Sequence, residues 1–184
     1  MSSHYPSPVL VVGGTGMLGP AVRTLARDGS LVLSVARRPE RLGQVPGVMP
    51  VTGDWARPDD LAEAVAAAIA ATGCGAPRGA ITWVHSPHTA AVHTAIARLL
   101  TRDAVVVNLR GSAGRDPSHD AAHVPDAFAQ PRRYRAVVLG FTDTAGGGTR
   151  WLTHREISDA ALRALNDEEA VQIVGRISPW SDRP

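Results

Sequence analysis

A chain of 184 residues with 44% hydrophobic and 20% charged side chains has the size and composition of one folded domain, which excludes a disordered tail. The formal charge is +2 and the pI about 9.3, yet all 19 basic side chains are arginine. Without lysine there is no P-loop and no Schiff base to pyridoxal phosphate, and with Cys74 as the lone cysteine there is no disulfide framework or cysteine-built metal cluster.

The arginines are dispersed, with short pairs only at Arg37–Arg38 and Arg132–Arg133, so no basic stripe points to nucleic acid. The start, Met1 to Pro8, is polar and proline-rich and does not resemble a secretory signal. The longest apolar stretch, Leu61 to Ala71, contains Glu63 and is too short to cross a bilayer, so no membrane partner is expected and the expected location is cytoplasmic.

In chain order, Val9 to Val12 is a short apolar run ending in glycines and reads as a buried parallel strand. A helix over about 17–28 follows, with Gly29 as its stop; Leu31 to Val35 is the second strand and Val48 to Thr52 a weaker third. Pro58 to about Thr72 is the clearest helix. Proline and two aspartates sit in its first turn, Leu61, Val65 and Ile69 form a stripe, and Gly73 closes it. Strand four is read at Ile81 to Val84, a helix at about 87–101, and strand five at Val105 to Val107. Residues 111–132 are polar and rich in glycine and proline, and read as a long loop able to serve as a lid. Strand six is Ala136 to Leu139. Gly146 to Gly148 mark a turn, and Thr153 with Glu156 fits a capping box, with Leu152 and Ile157 placed for a hydrophobic staple. That helix runs to about Leu165, and Val171 to Val174 is strand seven.

This alternation predicts an α/β chain: one Rossmann-like, doubly wound parallel sheet of about seven strands with helices on both faces, forming a single domain over 1–184 with a flexible start at 1–7. In such a sheet ligands bind beyond the carboxyl ends of the strands.

The strongest motif is Gly13-Gly14-Thr15-Gly16-Met17-Leu18-Gly19, directly after the first strand and opening a helix. The first glycine permits a tight turn, the second lets backbone approach a pyrophosphate, and the third lets helix and strand pack closely; the helix N-terminus offers N–H groups to phosphate. A site for NAD usually places an acid at the end of strand two to hold the ribose hydroxyls, whereas this chain has Arg37 and Arg38 there. Guanidinium groups suit a 2′-phosphate, so the expected cofactor is NADP(H). After strand three, Asp54 is placed to accept from an adenine amino group and Trp55 to cover the ring; Asp54 suits a turn before Pro58 equally well.

The glycine spacing, Arg37, Asp54 and the strand Val106-Val107-Asn108-Leu109 together resemble the short-chain dehydrogenase/reductase superfamily, on its atypical or extended side, over roughly residues 8–112. The tail segments Arg150 to Ser158, Pro179-Trp180 and Arg183-Pro184 look like a group of short bacterial proteins labelled short-chain dehydrogenases. The resemblance implies nicotinamide-dependent oxidoreduction of a small molecule, with a homodimer compatible although the helices that usually form the dimer face are reduced. The chain departs from the superfamily in its usual proton donor. A Tyr-x-x-x-Lys pair cannot exist without lysine. Tyr5 precedes the sheet, and Tyr134 starts strand six, whose length of roughly 20 Å separates it from the crevice.

Candidates for chemistry are then the other strand ends. His85, with Ser86 beside it, ends strand four; Arg110, Gly111 and Ser112 end strand five; Phe141 to Asp143 follow strand six. The resemblance puts Ser112 or its neighbour near the superfamily's catalytic serine. His85 can pass a proton or line the cofactor pocket, and Arg110 can hold a pyrophosphate or a substrate anion. His85, His88 and His93 match no zinc spacing, so no metal is expected. The expected activity is NADPH-dependent hydride transfer to a C=N group or an activated C=C or C=O. The alternative is a non-catalytic NADP(H) sensor.

Overall fold

The computed structural model describes residues 7–111, 122–129 and 131–184. Seven strands form one parallel sheet: β1 (Val9–Val12), β2 (Val32–Ala36), β3 (Val48–Thr52), β4 (Gly79–Thr82), β5 (Val105–Gly111), β6 (Arg133–Leu139) and β9 (Val171–Val174), in the order β3-β2-β1-β4-β5-β6-β9. The order reverses at β1, which pairs Val11 with Ser34 of β2 on one side and Ile81 of β4 on the other. A chain leaving β1 therefore turns away from one leaving β4, and a crevice opens above both.

Four helices cover the sheet: α1 (Gly19–Arg27), α2 (Pro58–Thr72), α3 (Thr89–Ala97) and α4 (His154–Asn166). The strands are apolar on both faces and divide by period two. Leu10, Val12 and Val106 pack with Leu61 and Val65 of α2 and Ile96 of α3. Val9, Val11 and Val107 pack on the other side with Val22 of α1 and Ile157 of α4. Gly73 closes α2 in the left-handed region, at φ +64°.

The boundaries shift where strand pairing overrides local preference. β4 spans Gly79–Thr82 rather than Ile81–Val84, because β1 ends at Val12 and bends away at Gly13; Trp83 N–H still reaches Val12, and Val84 has no strand beside it. β5 runs on through Asn108 and Arg110, and β6 starts early at Arg133, since the two pair over seven positions despite their polar residues. α3 is shorter than the apolar pattern suggests, and Phe141–Asp143 belongs not to β6 but to a small antiparallel hairpin of β7 (Phe141–Asp143) with β8 (Thr149–Trp151). Gly140 allows this break: a Cβ there would strike the Arg176 carbonyl.

α4 opens with the expected capping box. The Thr153 hydroxyl accepts from Glu156 N–H at 3.2 Å, and the Glu156 carboxylate accepts from Thr153 N–H at 2.7 Å. The Arg150 guanidinium, then the Thr153 donors, hold the Glu156 carboxyl at about 2. Thr153→Ala should lower stability by about 1 kcal/mol in urea unfolding while Thr153→Ser retains it; equal stability of all three proteins would show the cap to be idle.

Candidate functional site

Gly13 leaves β1 at φ +93°, and a Cβ on it would lie 2.8 Å from the Trp83 carbonyl oxygen, so glycine is needed both for the backbone angle and for the approach of β4. Gly14 is the point of close helix–strand packing: a Cβ there would land on Ser34 Oγ of β2 and 3.3 Å from Val22 of α1. The motif spacing predicts that packing at Gly19, yet Gly19 has only ordinary contacts at 3.8 Å. Gly14, Leu18 and Gly19 are buried and do not border the cleft; Leu18 joins the core with Val22. They shape the loop from behind.

Thr15, Gly16 and Met17 form its open surface. Nothing lies within 4 Å of where a Gly16 Cβ would be. Among the described residues, no carbonyl accepts from the N–H of Thr15, Gly16 or Met17. The first turn of α1 carries no side-chain cap and no acid. A cradle of unpaired N–H groups at a helix N-terminus, open where a side chain would intrude, fits a phosphate.

The cleft above this loop has a volume of about 770 Å³. Arg37 and Arg38 form one wall, joined by Arg41, which the short 3₁₀ turn Pro39–Leu42 brings round; among the described residues no carboxylate lines the cleft. Trp55, Trp83 and His85 form another wall. His85 stands between the indoles, its ring 5.4 Å from Trp55 and edge-on to Trp83 at 5.0 Å. His154, at the start of α4, closes the far side, and the Ser158 hydroxyl ties α4 to the Met17 carbonyl at 2.8 Å. Sequence pattern does not single out Arg41, Trp83 or His154, because each arrives from outside the motif.

Asp54 is elsewhere. It borders a separate recess of about 200 Å³ with Arg37 and Arg57, and its carboxylate accepts from Ala56 N–H at 3.0 Å, so the turn role is the one visible.

A second cavity, of about 860 Å³, adjoins the first across Trp83 and His85, which line both. Ser86 and Arg110 are in this cavity and not in the cleft above the glycine loop. Ser112 lies outside the described residues, as does half of the 111–132 loop; its described part holds the 3₁₀ turn Asp126–Phe128, which packs on α3. His88 precedes α3 and borders neither space. Asp143 is bound to Arg176 at 2.9 Å, away from both.

Beneath the second cavity runs a buried polar chain. Thr82 Oγ1 contacts Asn108 Oδ1 at 3.1 Å and His93 Nε2 at 3.3 Å; Asn108 Nδ2 donates to the Tyr134 hydroxyl at 2.9 Å, and Arg110 donates to the same oxygen at 2.8 Å. Arg110 also donates to the His123 carbonyl. Strand counting places the Tyr134 backbone correctly, opposite Val106, but its hydroxyl reaches Arg110 because two long side chains lean toward each other; the tyrosine is one hydrogen bond from the cavity wall. Burial and then the Arg110 charge lower the His93 imidazole from 6.5 to about 4, so it is neutral at physiological pH.

No protein-family model and no curated protein matches the chain. Solved structures do. A doubly substituted Serratia marcescens short-chain dehydrogenase/reductase superposes with a TM-score of 0.65 at 16% identity, covering 92% of this chain and 95% of that one. A short-chain dehydrogenase from Oenococcus oeni PSU-1 gives 0.64 at 12% identity over 100% and 99%, and a metagenomic short-chain oxidoreductase in complex with NADP gives 0.60 at 17% over 99% of each chain. The chain has the fold of the short-chain dehydrogenase/reductases.

Proposed function

We propose that the protein is an oxidoreductase that binds NADP(H) along the glycine loop and transfers hydride between it and a small organic substrate in the adjoining cavity. The observation that carries this reading is the pairing of two spaces across one wall: an arginine-lined cleft over unpaired N–H groups, and a second cavity sharing Trp83 and His85 with it. The cofactor supplies the hydride, and the protein supplies position and electrostatics. Arg37, Arg38 and Arg41 hold a 2′-phosphate, and Thr15, Gly16 and Met17 receive the pyrophosphate. His85, at the border of the two spaces, is placed to pass a proton to the substrate. Ser112 is proposed beside it on the resemblance alone. Asp54 keeps a role at the adenine end only through the recess it shares with Arg37.

An acceptor C=N, C=C or C=O group suits this site without a Tyr-x-x-x-Lys pair. Arg110 and three histidines, His85, His93 and His123, line the second cavity. The segment between β5 and β6 shows only one 3₁₀ turn among its described residues, where the resemblance implies a helix bearing the tyrosine. That observation keeps the redox-sensor reading in view.

Two measurements decide. The Arg37→Ala/Arg38→Ala protein should bind NADPH about 100-fold more weakly, the equivalent of two charge-assisted hydrogen bonds, with NADH changed less than about fivefold. Equal losses for both cofactors would remove the preference for NADP(H). Nicotinamide absorbance should fall when NADPH is mixed with one class among cyclic imines, enones and keto acids. Selective binding of one redox form without turnover of any of them would favour the sensor.

A further inference from the structure

Of the three guanidiniums assigned to the 2′-phosphate, one is held from behind. Arg37, Arg38 and Arg41 line the cleft and form no ion pair among the described residues. Arg37 and Arg38 follow directly on β2, so the sheet fixes where they start. Arg41 comes later, in the 3₁₀ turn Pro39–Leu42, and borders the cleft only while that turn keeps its place.

Within the turn, Arg41 N–H donates to the Arg38 carbonyl at 3.2 Å and Gly43 N–H to the Glu40 carbonyl at 3.0 Å, and Gly43 leads the chain away at φ +73°. These bonds shape the turn but attach it to nothing. Attachment comes from α1. Leu42 is 5% exposed and lies in the core with Leu18 and Val22. Its Cδ1 would stand 3.8 Å from a Cβ on Gly19, and its carbonyl accepts from Arg23 Nη2 at 2.6 Å. Gly19 and Arg23 are four residues apart and share one face of α1. The glycine leaves room for the leucine side chain, and the arginine holds the leucine backbone. The same helix begins at the glycine loop, so the clip joins the turn to the element that carries the phosphate cradle.

We propose that Arg23 is a positioning residue for cofactor choice. It does not line the cleft; it clips the turn to α1 and so fixes where Arg41 stands relative to the glycine loop. The inference rests on reading the cleft as the NADP(H) site and names a further residue on which the preference for NADP(H) depends. Its effect falls on the 2′-phosphate alone, because NADH presents no such group to Arg41.

The test titrates the full chain, by fluorescence with NADPH and NADH and by calorimetry with adenosine 2′,5′-bisphosphate and AMP. Arg23→Ala should weaken NADPH and the bisphosphate about fivefold and leave NADH and AMP within about twofold. Arg23 is exposed and alanine is the stronger helix former, so the variant keeps its fold. Loss of a distant positive charge would also weaken the more anionic cofactor, and Arg41 separates the two causes. Arg41→Ala should weaken NADPH about tenfold, and Arg23→Ala/Arg41→Ala no further than Arg41→Ala alone, because a clip acts only through the residue it holds. Losses that multiply to about fiftyfold would overturn the proposal. So would an equal loss for NADH in Arg23→Ala, or an unchanged NADPH affinity. The amides of Arg41 and Gly43 should exchange hydrogen about tenfold faster in Arg23→Ala, and unchanged exchange would show that the clip holds nothing. Arg37→Ala/Arg38→Ala retains Arg23 and reports on the cleft itself. If that protein loses NADPH selectively while Arg23→Ala does not, the cofactor reading stands and the positioning role falls; if neither loses it selectively, both fall.

Discussion

Gly16→Val should leave the melting temperature within about 2 °C of wild type and weaken NADPH at least about 100-fold. The position has ordinary backbone angles and open space where the side chain would go, so the folded state accommodates it. The same side chain would stand over the unpaired N–H groups of the loop and block a phosphate. Two charge-assisted hydrogen bonds, at about 1.5–3 kcal/mol each, account for that factor. Gly14→Val should behave in the opposite way. Its Cβ has no room between Ser34 and Val22, and overpacking of this kind costs about 1–3 kcal/mol or more. That variant should lose several degrees of thermal stability with any loss of affinity secondary to it. Thermal melts beside fluorescence titrations of the pair separate the two glycines. A Gly16→Val protein that still binds NADPH at wild-type strength would remove the loop from the cofactor site.

Acid should destabilise the protein through His93. In the unfolded chain this imidazole titrates at the ordinary 6.5, while in the fold burial and Arg110 hold it at about 4. The folded state thus binds fewer protons between those values, and stability must fall as pH drops from 6.5 through 4. The group's contribution is complete above pH 6.5 and largely gone below 4. At about 1.4 kcal/mol per pH unit the loss amounts to about 3 kcal/mol, a large share of a domain's margin. Among the described residues, Arg110 from β5 opposes its protonation, the Thr82 hydroxyl from β4 contacts Nε2, and Phe128 packs tilted against the ring. Urea midpoints at pH 7.5, 5.5 and 4.5 should decline for wild type and stay flatter for His93→Phe. Parallel declines would assign the acid sensitivity to carboxylates elsewhere.

What the sequence disclosed was governed by short-range geometry. The turn at Gly13, the arginines at the end of β2, the capping box at Thr153 and Glu156, and the closing of α2 at Gly73 each depend on residues within a few positions of one another. The parallel sheet followed from the alternation of these local signals. The second cavity was not legible in the same way. Thr82, His93, Asn108 and Tyr134 come from four elements, and their meeting depends on the register that sets Tyr134 beside Val106. One signal pointed to it: Asn108 and Arg110 interrupt an apolar strand at alternate positions, on the face that also carries Val106. A polar side chain on the buried face of a strand needs a partner, and the partner lay 26 residues on. Arg41 and His154 were hidden for a related reason, since the cleft they border is closed by a 3₁₀ turn and by a helix from the far end of the chain.

The wall between the two spaces has a consequence for descent. Trp83 crowds Gly13 through its carbonyl and Gly111 through its indole, where a Cβ would lie 2.7 Å from the ring. Positions 83 and 111 are therefore tied: while the indole stays, a side chain at 111 must displace it, whereas Gly13 is held by a backbone carbonyl whatever residue stands at 83. Once a lineage trades the indole for something small, position 111 is released, the partition falls, and the two rooms become one chamber with room for a longer guest.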